Sequence, residues 1–159
     1  MCLYWRTHKK DQAIETLIKI NWSGKFEFSK DMYPFGLKEK EFIALKQSDR
    51  EKIIAKINKD AKLLRLICKE VILRAHEFSN QEQYDEAEIY FNASLHLGKI
   101  LNRPGLILMG RLMGFAIEKK TLQSMQVYYK KTNRPDKAKQ ARQKREKLDI
   151  ERKRLIKNL

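Results

Sequence analysis

The chain has 159 residues, 42% of them apolar and 35% charged, with only six glycines and three prolines, so it can bury one core and carries few helix breakers. Thirty-five basic against twenty acidic side chains give a formal charge of +15, which points either to an acidic partner or to a lysine-rich solubilising surface. Two cysteines exclude a disulfide framework, and the longest apolar run, Gly105 to Ile117, is broken by Arg111 and too short to cross a bilayer.

No signal-peptide pattern opens the chain, because Met1-Cys2-Leu3-Tyr4-Trp5-Arg6 reaches a charge before an apolar segment forms. A cytoplasmic location is the expectation, with a lipid-modified Cys2 on an exported protein as the alternative. Asp11 to Ile20 puts Ile14, Leu17 and Ile18 at helical spacing and predicts a short amphipathic helix. Residues 21–36 have no helical period and carry Trp22, Phe26, Phe28, Tyr33 and Phe35 between breakers. These aromatics are expected to fold back over an open end of the core, an aromatic binding surface being the alternative.

Ser48-Asp49-Arg50-Glu51 has the form of a capping box and predicts a helix start. From there Ile54, Ile57, Ala61, Leu64, Cys68, Val71, Ala75 and Phe78 alternate in threes and fours along one seam. No Pro or Gly interrupts it, so one helix of about thirty residues, roughly 45 Å long, is predicted. Cys68 on that seam reads as a small buried thiol. Leu63, Leu66, Ile67, Ile72 and Leu73 widen the apolar face, which calls for burial by more than one neighbour.

A second helix is predicted over Tyr84 to Leu101, with Ala87, Phe91, Ser94, Leu95 and Gly98 as its packing face. Asn102-Arg103-Pro104 ends it, and Pro104 is expected at the first position of a helix running to about Lys131. Gly110 and Gly114 on that helix make a face of small residues that lets a neighbour approach closely. Asn133-Arg134-Pro135 repeats the punctuation and launches a last helix from Asp136 to about Lys157. Its stripe of Ala138, Ala141, Leu148, Leu155 and Leu159 is broken by Arg145 and Arg152, so it is expected to pack weakly or to project. Residues 1–132 are therefore read as one helical domain and 133–159 as a basic C-terminal helix.

Ala75, Phe78, Ala87, Phe91 and Ser94, with the turn-like segment Gln83 to Ala87, have the small and aromatic spacing of a helical hairpin. In this the chain resembles tetratricopeptide repeats, with a poorer second match from Tyr129 to Ala138 in which Arg142 and Arg145 stand at positions the family keeps apolar or small. The resemblance covers about half the chain. It implies antiparallel helical hairpins, stacked as a solenoid fragment, and a groove that binds peptides or partner proteins. The fold class read from the sequence is accordingly all-α, as such a fragment or as an irregular helical bundle.

Catalytic chemistry leaves no local mark. His8, His76 and His96 lack partners at metal-ligand spacing, and the glycines form neither a dinucleotide fingerprint nor a phosphate loop, so no metal, cofactor or catalytic residue is expected. The function expected is a non-catalytic interaction scaffold, a protein or peptide segment or a second copy of the chain lying between the helices from Ala75 and from Pro104. The alternative is a nucleic-acid-binding protein, because residues 102–159 carry most of the net excess of positive charge. Candidate contact residues are Arg111, Arg142, Arg145 and Arg152 for acidic groups, with Tyr128 and Tyr129 as stacking groups.

Overall fold

The seam of threes and fours resolves into a single 34-residue helix in the computed structural model, which describes residues 10–22, 28 and 33–157. Six helices run through the described residues: α1 (Lys10–Ile18), α2 (Glu39–Ile43), α3 (Gln47–Asn80), α4 (Tyr84–Leu101), α5 (Leu108–Lys131) and α6 (Pro135–Lys157). No strand occurs among them, and one isolated antiparallel bridge joins Lys38 to Leu106. The fold is all-α. No helix among the described residues is long and apolar enough to cross a membrane. Cys2, His8, Phe26 and Leu159 lie outside the described residues.

Helices α3 to α6 zigzag, each antiparallel to the next: a tight turn joins α3 to α4, Gly98 lies against Gly114 while Tyr84 meets Tyr128, and Asp149 meets Lys119 while Lys137 lies over Tyr129. Helices α3 and α5 therefore run parallel, as do α4 and α6. The core forms two connected clusters. In the first, Ile57, Leu64, Ile67 and Val71 of α3 meet Leu97 and Leu101 of α4, Met113 and Ile117 of α5, and Ile14 and Leu17 of α1. The second joins Ile72 and Ala75 to Phe91, Phe115, Tyr128 and Tyr129, with Ala138, Ala141 and Leu148 of α6. Burial of this kind, at roughly 25 cal/mol per Å² of apolar surface, holds the helices together where isolated helices would melt.

The hairpin turn between α3 and α4 is tight because Glu82 takes a left-handed φ of 60° and Gln83 N–H donates to Phe78 O at 2.9 Å. Ala75, Ala87 and Phe91 are fully buried at this contact, while Phe78 rests on Tyr90 with ring centres 5.1 Å apart. Cys68 is buried, in agreement with its place on the seam. Leu66 and Leu73 depart from the widened apolar face read from the sequence: they remain 54% and 45% exposed, because α4 and α5 cover only adjoining sectors of α3.

The two Asn-Arg-Pro triplets do different work. Pro135 is the first residue of α6, one position before the start expected at Asp136. Pro104 instead enters a turn with Gly105, whose φ of 83° suits glycine, and α5 begins only at Leu108. Residue 136 is Asp, so no glycine follows the second triplet and the chain continues directly into helix. The turn lets Glu39 N–H donate to Gly105 O and Ile107 N–H to Leu37 O, both at 2.9 Å. Glu39 then caps α5 from a distance in sequence, its carboxylate accepting from Leu108 N–H at 2.7 Å. The capping box expected at Ser48 is absent: α3 starts at Gln47 with Lys46 before it, so Ser48 is already helical.

Phe35 is buried, and Trp22 and Phe28 pack on the first cluster, so three of the four described aromatics of residues 21–36 rest on the core. Trp22 stacks on His96 of α4 at 5.5 Å, and Tyr33 alone of those described stays largely exposed.

Helix α6 is the main departure from expectation. It lies along α5 instead of projecting, with Ala138, Ala141 and Leu148 buried. Small alanines permit close approach to the broad aromatic surface of Tyr128 and Tyr129, and polar clamps hold both ends. Glu88 of α4 receives Arg134 and, at 2.9 Å, Lys137, while Lys119 of α5 binds both oxygens of Asp149 at 2.7 and 3.0 Å.

The α4 and α5 axes cross most closely where Gly98 faces Gly114. Here Glu118 is 94% buried and accepts from Asn102 Nδ2 at 3.1 Å. Burial raises the Glu118 carboxyl above the ordinary carboxylate range, against the opposing pull of the Asn102 hydrogen bond and Lys99. Among the described residues no donor reaches the buried Asn102 Oδ1, and a protonated Glu118 would provide one. The folded protein thus holds this proton to higher pH than the unfolded chain does. Its contribution to stability is complete below the ordinary carboxylate pKa and is lost as pH rises through the raised value. Glu118→Gln should be more stable than the parent at neutral pH, with the difference vanishing toward pH 4 in urea unfolding followed across that range.

Candidate functional site

A helical stack of this kind exposes a furrow wherever two next-nearest helices share a neighbour behind them, and α3 and α5 do so over α4. Two adjoining hollows of about 360 and 430 Å³ occupy that furrow and share Arg65 and Ala116. The first is bordered by Leu148, Asp149 and Arg152 of α6 as well as by α3 and α5, with Ile57, Ala61, Met109, Met113 and Phe115 among its walls. The second runs on between Cys68, Ile72, Leu73 and His76 of α3 and Ile117, Lys120 and Ser124 of α5. From Asn58 to His76 the groove follows α3 for about 27 Å at helical rise.

The floor is apolar and the edges are cationic. Arg65 and Lys69 on α3, Lys119 and Lys120 on α5 and Arg152 on α6 are exposed lining residues. Asp149 is the one carboxylate among these lining residues, and Lys119 already binds it. The far end is also positive: burial holds the His76 imidazole below its usual pKa, and Lys131 and Lys120 push it further down. His76 stands edge-on to Phe91, and Lys131 donates to Asn80 Oδ1 at 2.6 Å.

Of the six residues singled out in the sequence, the groove contains only Arg152. Tyr128 and Tyr129 are core residues, 1% and 6% exposed, so they offer no face to a stacking base. The Tyr128 hydroxyl donates to Tyr84 O at 3.1 Å, its ring lies 5.2 Å from Phe91, and burial pushes the Tyr129 phenol up to about 12. Arg142 is exposed and ion-paired with Glu146 one turn away at 3.5 Å. Arg145 and Arg111 are half-buried, Arg111 with its Nε shielded and lacking an acceptor among the described residues.

The groove residues Arg65, Lys69, Leu73, His76, Ala116 and Lys120 were missed because each is ordinary in sequence. A signal existed in the i,i+4 pair Arg65 and Lys69 beside Leu73, a cationic strip bordering an apolar one. Another hollow of about 280 Å³ lies between α4, α5 and α6, lined by Lys99, Glu118, Lys144, Lys147 and Glu151 among others. Among the described residues no group of three or more His, Cys, Asp or Glu side chains could hold a metal ion. No family model matches this chain, and no curated protein or solved structure matches it.

Proposed function

We propose that the chain is a non-catalytic helical scaffold that receives a segment of a protein partner in the groove between α3 and α5. The observation that carries this reading is the pairing of an apolar floor with exposed Leu73 and Ala116 inside one hollow. Apolar surface of this kind gains free energy on being covered, and the surrounding cations select what covers it. A second copy of the chain is one source of such a segment.

The test is site-specific photocrosslinking in the native host. A photoreactive residue at Leu73 or Ala116 should crosslink to protein, whereas one at Ile89, exposed on α4 away from the groove, should not. Absence of any protein adduct at both groove positions would end this reading. Leu73→Glu should leave stability within about 0.5 kcal/mol of the parent, because the side chain is already exposed, while reducing the crosslink yield from Ala116 at least tenfold.

Nucleic-acid binding is the second reading. It draws on Pro135 to Lys157, which holds ten basic and four acidic residues. Contact with six to ten phosphates would show as an affinity loss of about 10³ to 10⁵ between 50 and 200 mM salt.

A further inference from the structure

Resting on the groove assignment, we infer that its occupant is a single amphipathic helix of about five turns, with an apolar stripe flanked on both sides by acidic residues. Length and charge both lead there. The furrow follows α3 from Asn58 to His76, and eighteen residues of helix span about 27 Å. A strand of that length would cover only about eight residues and could not pair its backbone, since the walls are helices whose own amides are satisfied. A helix brings its backbone hydrogen bonds with it and needs only side-chain contact.

The charges fix the flanks. Lys69 stands on the α3 wall and Lys120 on the α5 wall of the same hollow, so both edges of the occupant meet a cation. Arg65 occurs in the lining of both hollows, and Arg152 of α6 lines the first. None of these four has a carboxylate beside it in the lining except Asp149, which Lys119 engages. An occupant with glutamates on each side of a Leu or Ile stripe satisfies all four while covering Leu73. Single-stranded nucleic acid fits less well: the one aromatic ring lining the second hollow, His76, is half-buried and stands edge-on to Phe91, and the apolar floor gives base edges no complement.

The experiment uses three synthetic 18-residue peptides, labelled with fluorescein and followed by anisotropy against the full chain. One has a Leu/Ile stripe with Glu on both flanks, the second replaces Glu by Lys, and the third scrambles the first. The Glu-flanked helix is expected to bind at least tenfold more tightly than either other peptide. Ala116→Trp, which plugs the furrow at an exposed position, should weaken that binding at least tenfold. Lys69→Glu with Lys120→Glu should reverse the Glu-over-Lys preference. Equal binding of all three peptides that still responds to Ala116→Trp would overturn the acidic-helix inference and leave the groove reading intact. If no peptide binding responds to Ala116→Trp, both fall. Tighter binding of a single-stranded RNA oligonucleotide than of the Glu-flanked peptide, lost in Ala116→Trp, would also overturn the inference. Unchanged thermal unfolding of each variant keeps these comparisons valid.

Discussion

Gly114→Ala is expected to destabilise the protein by about 2–3 kcal/mol, although alanine is ordinarily the better helix former by about 1 kcal/mol. A Cβ at this position would lie 2.5 Å from Asn102 N and 2.6 Å from Gly98 O. Both are backbone atoms, so no side chain can rotate away and α4 must separate from α5. That separation would also strain the buried Ser94 to Thr121 hydrogen bond of 2.8 Å and the contact between Asn102 and Glu118. Gly110→Ala on the same helix gives the opposite sign. Its added Cβ meets nothing closer than Phe35 Cδ1 at 3.5 Å, an ordinary contact, so the helical gain should survive as a neutral or slightly stabilising change. Urea unfolding of the two variants side by side decides the matter, and equal stabilities would contradict the crossing at Gly98.

Tyr128→Ala should cost about 3–5 kcal/mol, the range for deleting a large buried aromatic ring. The ring is 1% exposed and packs between Phe91 and Tyr129, at 5.2 and 5.0 Å, so its loss leaves a hole that α4, α5 and α6 all border. Tyr128→Phe keeps the ring and removes only the hydroxyl that reaches Tyr84 O, for a cost of about 1 kcal/mol. A surface tyrosine serving nucleic acid would behave differently, because its truncation would reduce binding with little change in unfolding. The two variants together therefore separate a core role from a contact role. A near-neutral Tyr128→Ala would return Tyr128 to the surface and revive stacking.

The groove connects these stability arguments to function. Its α5 wall is held in place by the Gly98 and Gly114 crossing on one side and by α6 on the other, so Gly114→Ala should also weaken ligand capture at Ala116. Loss of capture in Gly114→Ala is then a consequence of wall movement, whereas Leu73→Glu acts on the floor itself. Unfolding measurements distinguish the two.

Local signals determined the helices. The seam from Ile57 to Ala75, the absence of Pro and Gly across it, and the tight turn before Tyr84 all arise within one helical repeat, and period and propensity are readable at that range. Composition likewise gave the all-α class. The burial of Cys68, Phe91 and Ala87 is legible in the sequence because burial of a regular stripe follows from its spacing. Where two parts of the chain had to be compared, the sequence was silent. Ser48 looked like a cap, yet the remote cap at Glu39 on α5 depends on a turn at Gly105 nearly seventy residues later.

The tertiary structure alone decided the fate of α6 and the identity of the contact surface. A thin alanine stripe looks weak in isolation, but against Tyr128 and Tyr129 its small side chains allow close packing, and Glu88 and Lys119 supply charges from other helices. The same packing that buries α6 buries the two tyrosines, so neither offers a surface to a partner. The groove is formed by Arg65 and Lys69 of α3 meeting Lys120 of α5 some fifty residues on. One-dimensional periodicity reports which face of a helix is apolar; it carries no information about which two helices leave a furrow between them, since that is set by three-dimensional packing of side chains remote in sequence.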